Sequence, residues 1–286
     1  MVKQLHLLST RNKNNRADIN TLLIYTDLCT LKNKPFKIFD MEIFLFIVAH
    51  WYLSLFAQSF FHHRYSAHQM FTMPKWVEKF FFVFSFIAQG SSYMSPKVYG
   101  ILHRLHHEHA DKEEDPHSPL FSKNFVSLMV KTYHKFAGIQ SGAIKVKEAI
   151  TKNLPDWKWF DKMAGSLLVK VLWSLFYIWF YYTFATAWWM YLFVPMHIVM
   201  GPIHGTIVNW FAHKFGYTNY EVDDTSKNLM PFDIFMLGEG YHNNHHAEGG
   251  MANFARKWYE IDPIYPIMRL MDWLGLIRIN PVALRS

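Results

Sequence analysis

A single cysteine, Cys29, in 286 residues leaves no partner for an internal disulfide and no thiolate cage for a metal. Any ion held by this chain must rest on imidazole, carboxylate or water. Acids are also scarce: 22 Asp and Glu stand against 29 Lys and Arg, a formal charge of +7 with histidine neutral. Residues 1–38 are polar and basic, through Arg11, Lys13, Arg16, Lys32, Lys34 and Lys37, and lack a secretory signal pattern. Zinc-finger spacing and a basic helix of the DNA-reading kind are both missing, which sets nucleic acid aside. The positive excess fits anionic lipid head groups, or an acidic partner or phosphate-bearing substrate.

What the chain has in quantity is aromatic and apolar residues, gathered in runs: 26 Phe, 15 Tyr and 11 Trp. The mean hydropathy of −0.02 averages those runs with polar ends and loops. Residues 39–61, FDMEIFLFIVAHWYLSLFAQSFF, cover about 34 Å as helix, one crossing of a ~30 Å hydrocarbon layer and not two. His50 and Gln58 within it are expected to face protein, His50 as a satisfied intramembrane histidine rather than a ligand. Residues 166–212, interrupted by Lys170, His197 and His204, suit two crossings with a turn near Ala185 to Tyr191. Pro195 and Gly201-Pro202 are placed to kink the second of these helices, whose aromatic and Met side chains could line a slot for an alkyl chain. Residues 121–162 read as a pair of basic amphipathic helices lying on the head groups, with Trp157 and Trp159 at the interface. Their lysines would also suit the phosphates of a thioester carrier. The tail, residues 251–286, reads as a short cap under the functional face.

Histidine supplies the chemistry. His103-Arg-Leu-His106-His107 and His242-Asn-Asn-His245-His246 each carry the spacing i, i+3, i+4, which shares one helical face. His63 and His68 come earlier, and His213 leaves the last apolar run. A five-residue spacing does not align two side chains on an ideal α-helix, so His63 and His68 call for a helix end with a turned segment. Pro74 to Ser95 is long enough to cross a membrane, but a crossing would put His103 on the face opposite His63. It is therefore expected as a re-entrant or interfacial helix closed by Gly90, Ser91 and Ser92. Asp111 and Asp115, just past the second cluster, and Glu239, between Gly238 and Gly240, are placed to hold the outer nitrogens of ligating imidazoles. The two glycines would allow close backbone approach. Asn209 lies four residues before His213, on the same face.

Nine histidines (His63, His68, His103, His106, His107, His213, His242, His245, His246) are too many for one ion and suit two. Imidazole accepts iron, zinc, copper and nickel alike. An apolar slot in a membrane favours iron, which activates dioxygen against unreactive C–H bonds, over a hydrolytic zinc. The expected fold is an all-α integral membrane protein. It has about three transmembrane helices, a re-entrant or interfacial helix, and a helical cytosolic cap holding a histidine-rich dimetal site.

From about Glu42 to Arg269 the chain resembles the membrane fatty acid desaturases, nearest the acyl-CoA delta-9 (stearoyl-CoA) type. The resemblance is carried by His63-Arg-Tyr-Ser-Ala-His68, by His103 to His107 with Asp115-Pro116-His117, by Asn209-Trp-Phe-Ala-His213, and by Gly238-Glu-Gly-Tyr-His242-Asn-Asn-His245-His246. It implies residues 41–270 as the desaturase domain, followed by a tail from 271 to 286. It implies two irons, one on His63, His68, His107 and His246 or their neighbours. The other iron would take the remaining nitrogens, with Asn209 holding a water near one ion. Dioxygen would be co-substrate, and the substrate a saturated long-chain acyl group on coenzyme A or a lipid. Electrons would come from a ferredoxin or cytochrome b5-type carrier with its reductase. The metal site would lie on the cytoplasmic side of the bilayer. A histidine-rich hydroxylase, a sphingoid-base or carotenoid desaturase, and a metal-handling membrane protein are the competing readings.

The chain departs from that type twice. Tyr99-Gly-Ile-Leu precedes His103 where an aromatic, acidic and arginine-containing run is usual. Only one crossing precedes the first histidine pair, where the family has a hairpin and four crossings in all. One crossing leaves the basic residues 1–38 opposite the clusters, against the positive-inside tendency. The expectation is that translation starts at Met41, with residues 1–40 an extension.

Overall fold

The computed structural model describes residues 41–284, so the expectation for residues 1–40 lies outside the described residues. Helix α1 (Met41–Phe56) continues without a break into a π-helical segment, Ala57–Ala67. The pair forms one 27-residue rod, six residues longer at its C-terminal end than the expected crossing. With α7 (Leu167–Phe184) it makes two helices long and apolar enough to cross a membrane among the described residues.

The second half of the apolar run 166–212 is not one straight helix. A 3₁₀ turn, Trp188–Phe193, leads into α8 (Val194–Ile198) and α9 (Met200–Asn209), and the two halves bend by 70°. Counted as one span, they bring the total to three. Pro202 has no N–H to offer the Ile198 carbonyl four residues back, and in hydrocarbon that oxygen must find another donor. Ser91 Oγ supplies it at 2.9 Å, while Ser92 Oγ accepts from Gly201 N at 3.0 Å.

Those two serines belong to the 3₁₀ turn Gly90–Ser92 that follows α2 (Lys75–Gln89). At 15 residues α2 spans only about 22 Å, short of a hydrocarbon core. Its end is sheathed by protein, with Ser91 N donating to Tyr177 Oη of α7 at 3.3 Å. Deeper in the same bundle, His50 and His197 pair through their Nδ1 atoms at 2.6 Å, and Tyr181 Oη meets His197 Nε2 at 2.9 Å. His50 is thus a partnered membrane histidine, as its surroundings in the sequence imply.

Outside the bundle, α3 (Pro96–His109) carries the second histidine cluster. The expected helix pair over 121–162 is instead one long helix, α4 (Phe125–Ser141), and two short ones, α5 (Glu148–Thr151) and α6 (Lys158–Ala164). Gly142 at φ +78° stops α4, and Pro155 interrupts the remainder. Helix α10 (His242–Ala247) carries the third histidine cluster, and the tail folds back through α11 (Ile264–Trp273). It is tied down where strand β1 (Phe71–Thr72) pairs antiparallel with β2 (Arg278–Ile279). Phe60, Phe61, Phe71, Phe82, Tyr241, Phe254 and Ile264 form the core beneath the histidines.

Candidate metal centre

The first pair of histidines is aligned by the π-helix. Its backbone bonds run from i to i+5, so residues five apart stack. His68 N donates to the His63 carbonyl at 3.1 Å, and the two rings lie 5.0 Å apart. The turned segment expected there is unnecessary. Helix α3 starts at Ser95, whose Oγ accepts from Val98 N, with Pro96 at its first position. Arg104 fastens it to the π-segment and α5 through the carbonyls of Ala67, Ile150 and Lys152. Helix α10 is too short to hold itself. The Asn228 Oδ1 atom accepts from Asn243 N and Asn244 N, donors that a first helical turn leaves free. Asn243 and Asn244 in turn bond Tyr220, Asn219, Phe254 and Glu260. The two spacer residues of His242-Asn-Asn-His245 are therefore what anchors the cluster.

The nine histidines converge in two groups. Ring nitrogens of His63, His68, His103 and His245 lie within 4.8 Å of one another, and so do those of His106, His213, His242 and His246. His107 joins the first group, its Nε2 3.0 Å from the Nε2 atoms of both His103 and His245. Each HxxHH helix therefore serves both groups: the i, i+4 pair of α3 points one way and His106 the other. In α10 the pair His242 and His246 opposes His245. The resemblance implied one ion on His63, His68, His107 and His246 or their neighbours, and in the structure it is His245, the neighbour of His246, that stands with His63 and His68. On a helix, i+3 and i+4 flank the residue at i on opposite sides, so one face can straddle two centres.

Carboxylates stand behind four of these rings. Glu239 accepts from His63 Nδ1 at 2.6 Å, Asp115 from His106 Nδ1 at 2.9 Å, and Asp111 from His213 Nδ1 at 3.3 Å. The fourth, Asp224, accepts from His246 Nδ1 at 2.6 Å and has no counterpart in the sequence reading. Burial alone would raise Glu239, but His63, Arg64 and Ser59 outweigh it and hold the carboxyl at about 2. Burial likewise favours protonated Asp115, and His106 overrides it, holding it at about 2. Asp111 and Asp224 lie below the usual carboxylate range, where contacts with His213 and Thr225, and with His246 and Ser226, overcome burial. Arg64, fully buried, ties Glu239 to Asp262 of the tail at 2.9 and 2.7 Å and lies 3.8 Å over the Phe254 ring. The glycines around Glu239 approach carboxylates rather than an ion. A Cβ on Gly238, at φ +89°, would come within 2.8 Å of Asp262, and one on Gly240 within 2.7 Å of Asp233.

This donor set fits a pair of cations. His106 and His246 each give the Nδ1 proton to a carboxylate, which leaves each Nε2 a bare lone pair. Those two lone pairs face one another at 3.1 Å, a contact that repels unless a positive ion lies between them. Ligand nitrogens about 2.0–2.1 Å from one ion are roughly 3–3.5 Å apart. Burial drives His68, His103, His107, His242 and His245 well below 6.5, so their rings are neutral and able to ligate. Nitrogen-only ligation by imidazole suits iron among other metals.

A cavity of about 350 Å³ opens onto both groups. His63, His103, His242, Glu239 and Asn209 border its polar end, while Leu55, Leu102, Leu128, Met129, Phe136, Ile198 and Val208 supply apolar wall. Asn209, expected near an ion, lines this space at the end of α9. Tyr99 lines it as well, its ring stacked on His103 at 5.9 Å and its hydroxyl pushed far above 10 by burial. Lys170 also borders the cavity.

Residues 42–272 match the family model described as fatty acid desaturase. Among curated proteins, the Delta-9 desaturase-like 5 protein of Arabidopsis thaliana is 30% identical over 233 residues, 76% of this chain and 70% of that protein. Delta-9 acyl-lipid desaturase 1 of Arabidopsis thaliana is 30% identical over 223 residues, 75% of this chain and 67% of that protein. The sn-1 stearoyl-lipid 9-desaturase of Synechocystis sp. is 31% identical over 226 residues, covering 76% and 64%.

Proposed function

This chain belongs to the fatty acid desaturase family, and from that membership we propose that it places an internal double bond in a saturated long-chain acyl group carried on a membrane lipid. The protein is an oxidoreductase. The lipid carrier is favoured over coenzyme A by two of its relatives, one named as an acyl-lipid desaturase and one as a stearoyl-lipid 9-desaturase. The observation that carries the reading is the cavity that runs between apolar walls and ends on histidines of both groups. A saturated chain has no polar handle for a side chain to grip, so its position must come from shape. Each buried methylene contributes ~0.8 kcal/mol, and some sixteen of them about 13 kcal/mol, much of it offset by ordering the chain.

In this reading His63, His68, His103, His107 and His245 hold one iron, and His106, His213, His242 and His246 the other. Bound there, the irons supply dioxygen activation. Two hydrogens leave adjacent methylenes with their electrons. Two further electrons from a ferredoxin or cytochrome b5-type donor and two protons complete the reduction of dioxygen to two waters. No side-chain acid or base is needed at the carbon. Glu239, Asp115, Asp111 and Asp224 fix tautomer and ring plane, the cavity wall excludes bulk water, and Asn209 offers an amide to a water at the metal end. The metal face lies on the cytoplasmic side, where the electron donor docks.

Expression in a host of defined lipid composition, with gas chromatography of the fatty acids released from each lipid class, tests the proposal. A new monounsaturated chain that appears first in intact lipid supports it. Label appearing first in acyl-CoA moves the carrier, and an alcohol in place of the alkene would mean a hydroxylase.

A further inference from the structure

Ten imidazoles, not nine, gather at this centre, and the tenth is without a partner. His117 is 5% exposed, lines the acyl cavity, and has no hydrogen bond at either ring nitrogen. Its ring lies 4.5 Å from that of His106. It is held there deliberately: His117 N donates to Asp115 Oδ1 at 2.9 Å, while the other oxygen of the same carboxylate takes the Nδ1 proton of His106. One carboxylate thus orients a ligand and presents a free imidazole beside it. Two unsatisfied buried nitrogens are costly, and native structures keep such groups where a water, ion or ligand completes them. The acyl chain cannot do so, having no polar atom along its length.

We propose that His117 is a positioning residue that hydrogen-bonds an ordered water at the metal end of the cavity. That water sits beside the group His106, His213, His242 and His246 and keeps an oxygen-sized space clear of the acyl chain. Its effect on turnover rests on the desaturase reading; the water itself does not. Asn209 borders the same space and can share the water.

The test is made on purified, iron-loaded full-length protein with His117→Phe and His117→Gln. Three quantities are read: iron per chain, broadening of the metal's magnetic resonance lines by 17O-water, and double bonds formed per dioxygen consumed. For His117→Phe the expectation is unchanged iron, loss of the 17O effect, and a roughly tenfold fall in double bonds per dioxygen, the scale of one lost hydrogen bond. His117→Gln, which keeps a donor of similar reach, recovers most of both. Loss of one iron per chain in both variants would make His117 a ligand and overturn the proposal. Unchanged line broadening in His117→Phe would overturn it too. If wild-type protein forms no alkene, the desaturase reading fails while the 17O comparison still decides the water.

Discussion

Asp224 holds the ring of His246 from a loop 22 residues away, and nothing in the spacing of the chain announces it. Loss of such an outer partner typically weakens metal affinity about 10–100-fold. Asp224→Asn is expected to do so, measured as iron retained against a chelator, while Asp223→Asn at the neighbouring exposed position leaves it unchanged. Arg64 is another residue whose role came only with the structure. Arg64→Ala strands Glu239 and Asp262 without a counterion in a buried site, and an unfolding titration in detergent should show a loss of about 3–5 kcal/mol. The ligand histidines were legible because i, i+3, i+4 is a geometric rule that acts within one helix. Asp111, Asp115 and Glu239 were legible because they lie close to those helices in sequence. Asp224 and the asparagine lattice around Asn228 were not, since their meaning depends on which loops meet; His117 was visible as part of Asp115-Pro116-His117, but not its unpartnered ring in the cavity.

At the scale of elements, the departures from expectation share a cause. The run Ala57–Ala67 has the composition of any membrane-helix exit, and only its i to i+5 bonding brings His63 over His68. The broken span could be anticipated from Pro195 and Gly201-Pro202, but its bend depends on serines supplied by a different element. The division of each HxxHH motif between two groups required both helices in place, because spacing alone shows a shared face and not what lies across it. The seat of α3 on the π-segment is narrow: a Cβ on Gly100 would meet Leu154 Cδ2 at 2.7 Å and Ser66 Oγ at 2.8 Å. Gly100→Val is expected to push the two apart, costing about 1–3 kcal/mol of stability. It should also release iron, read by metal analysis after gel filtration.

For the molecule as a whole, the broken span, the short α2 and the π-segment serve one end: histidines from separate stretches of the chain meet at one centre. A topology follows that can be labelled. In a background with Cys29 replaced by serine, cysteines at Lys123 and Lys257 should react with an impermeant reagent from one side. A cysteine at Trp188, in the turn after α7, should react only from the other. The His106 and His246 lone pairs that face each other at 3.1 Å repel without a cation, so metal loading is expected to stabilise the folded cluster, read as a higher unfolding midpoint of loaded than of chelator-treated protein.

In the function proposed above, these nine histidines hold two irons. Elemental analysis of purified active protein, normalised to protein by amino-acid analysis, tests it most directly. The prediction is about two irons per chain, falling together with activity when either His107 or His246 is replaced by alanine. Active protein carrying no iron, or a single ion per chain, would contradict it.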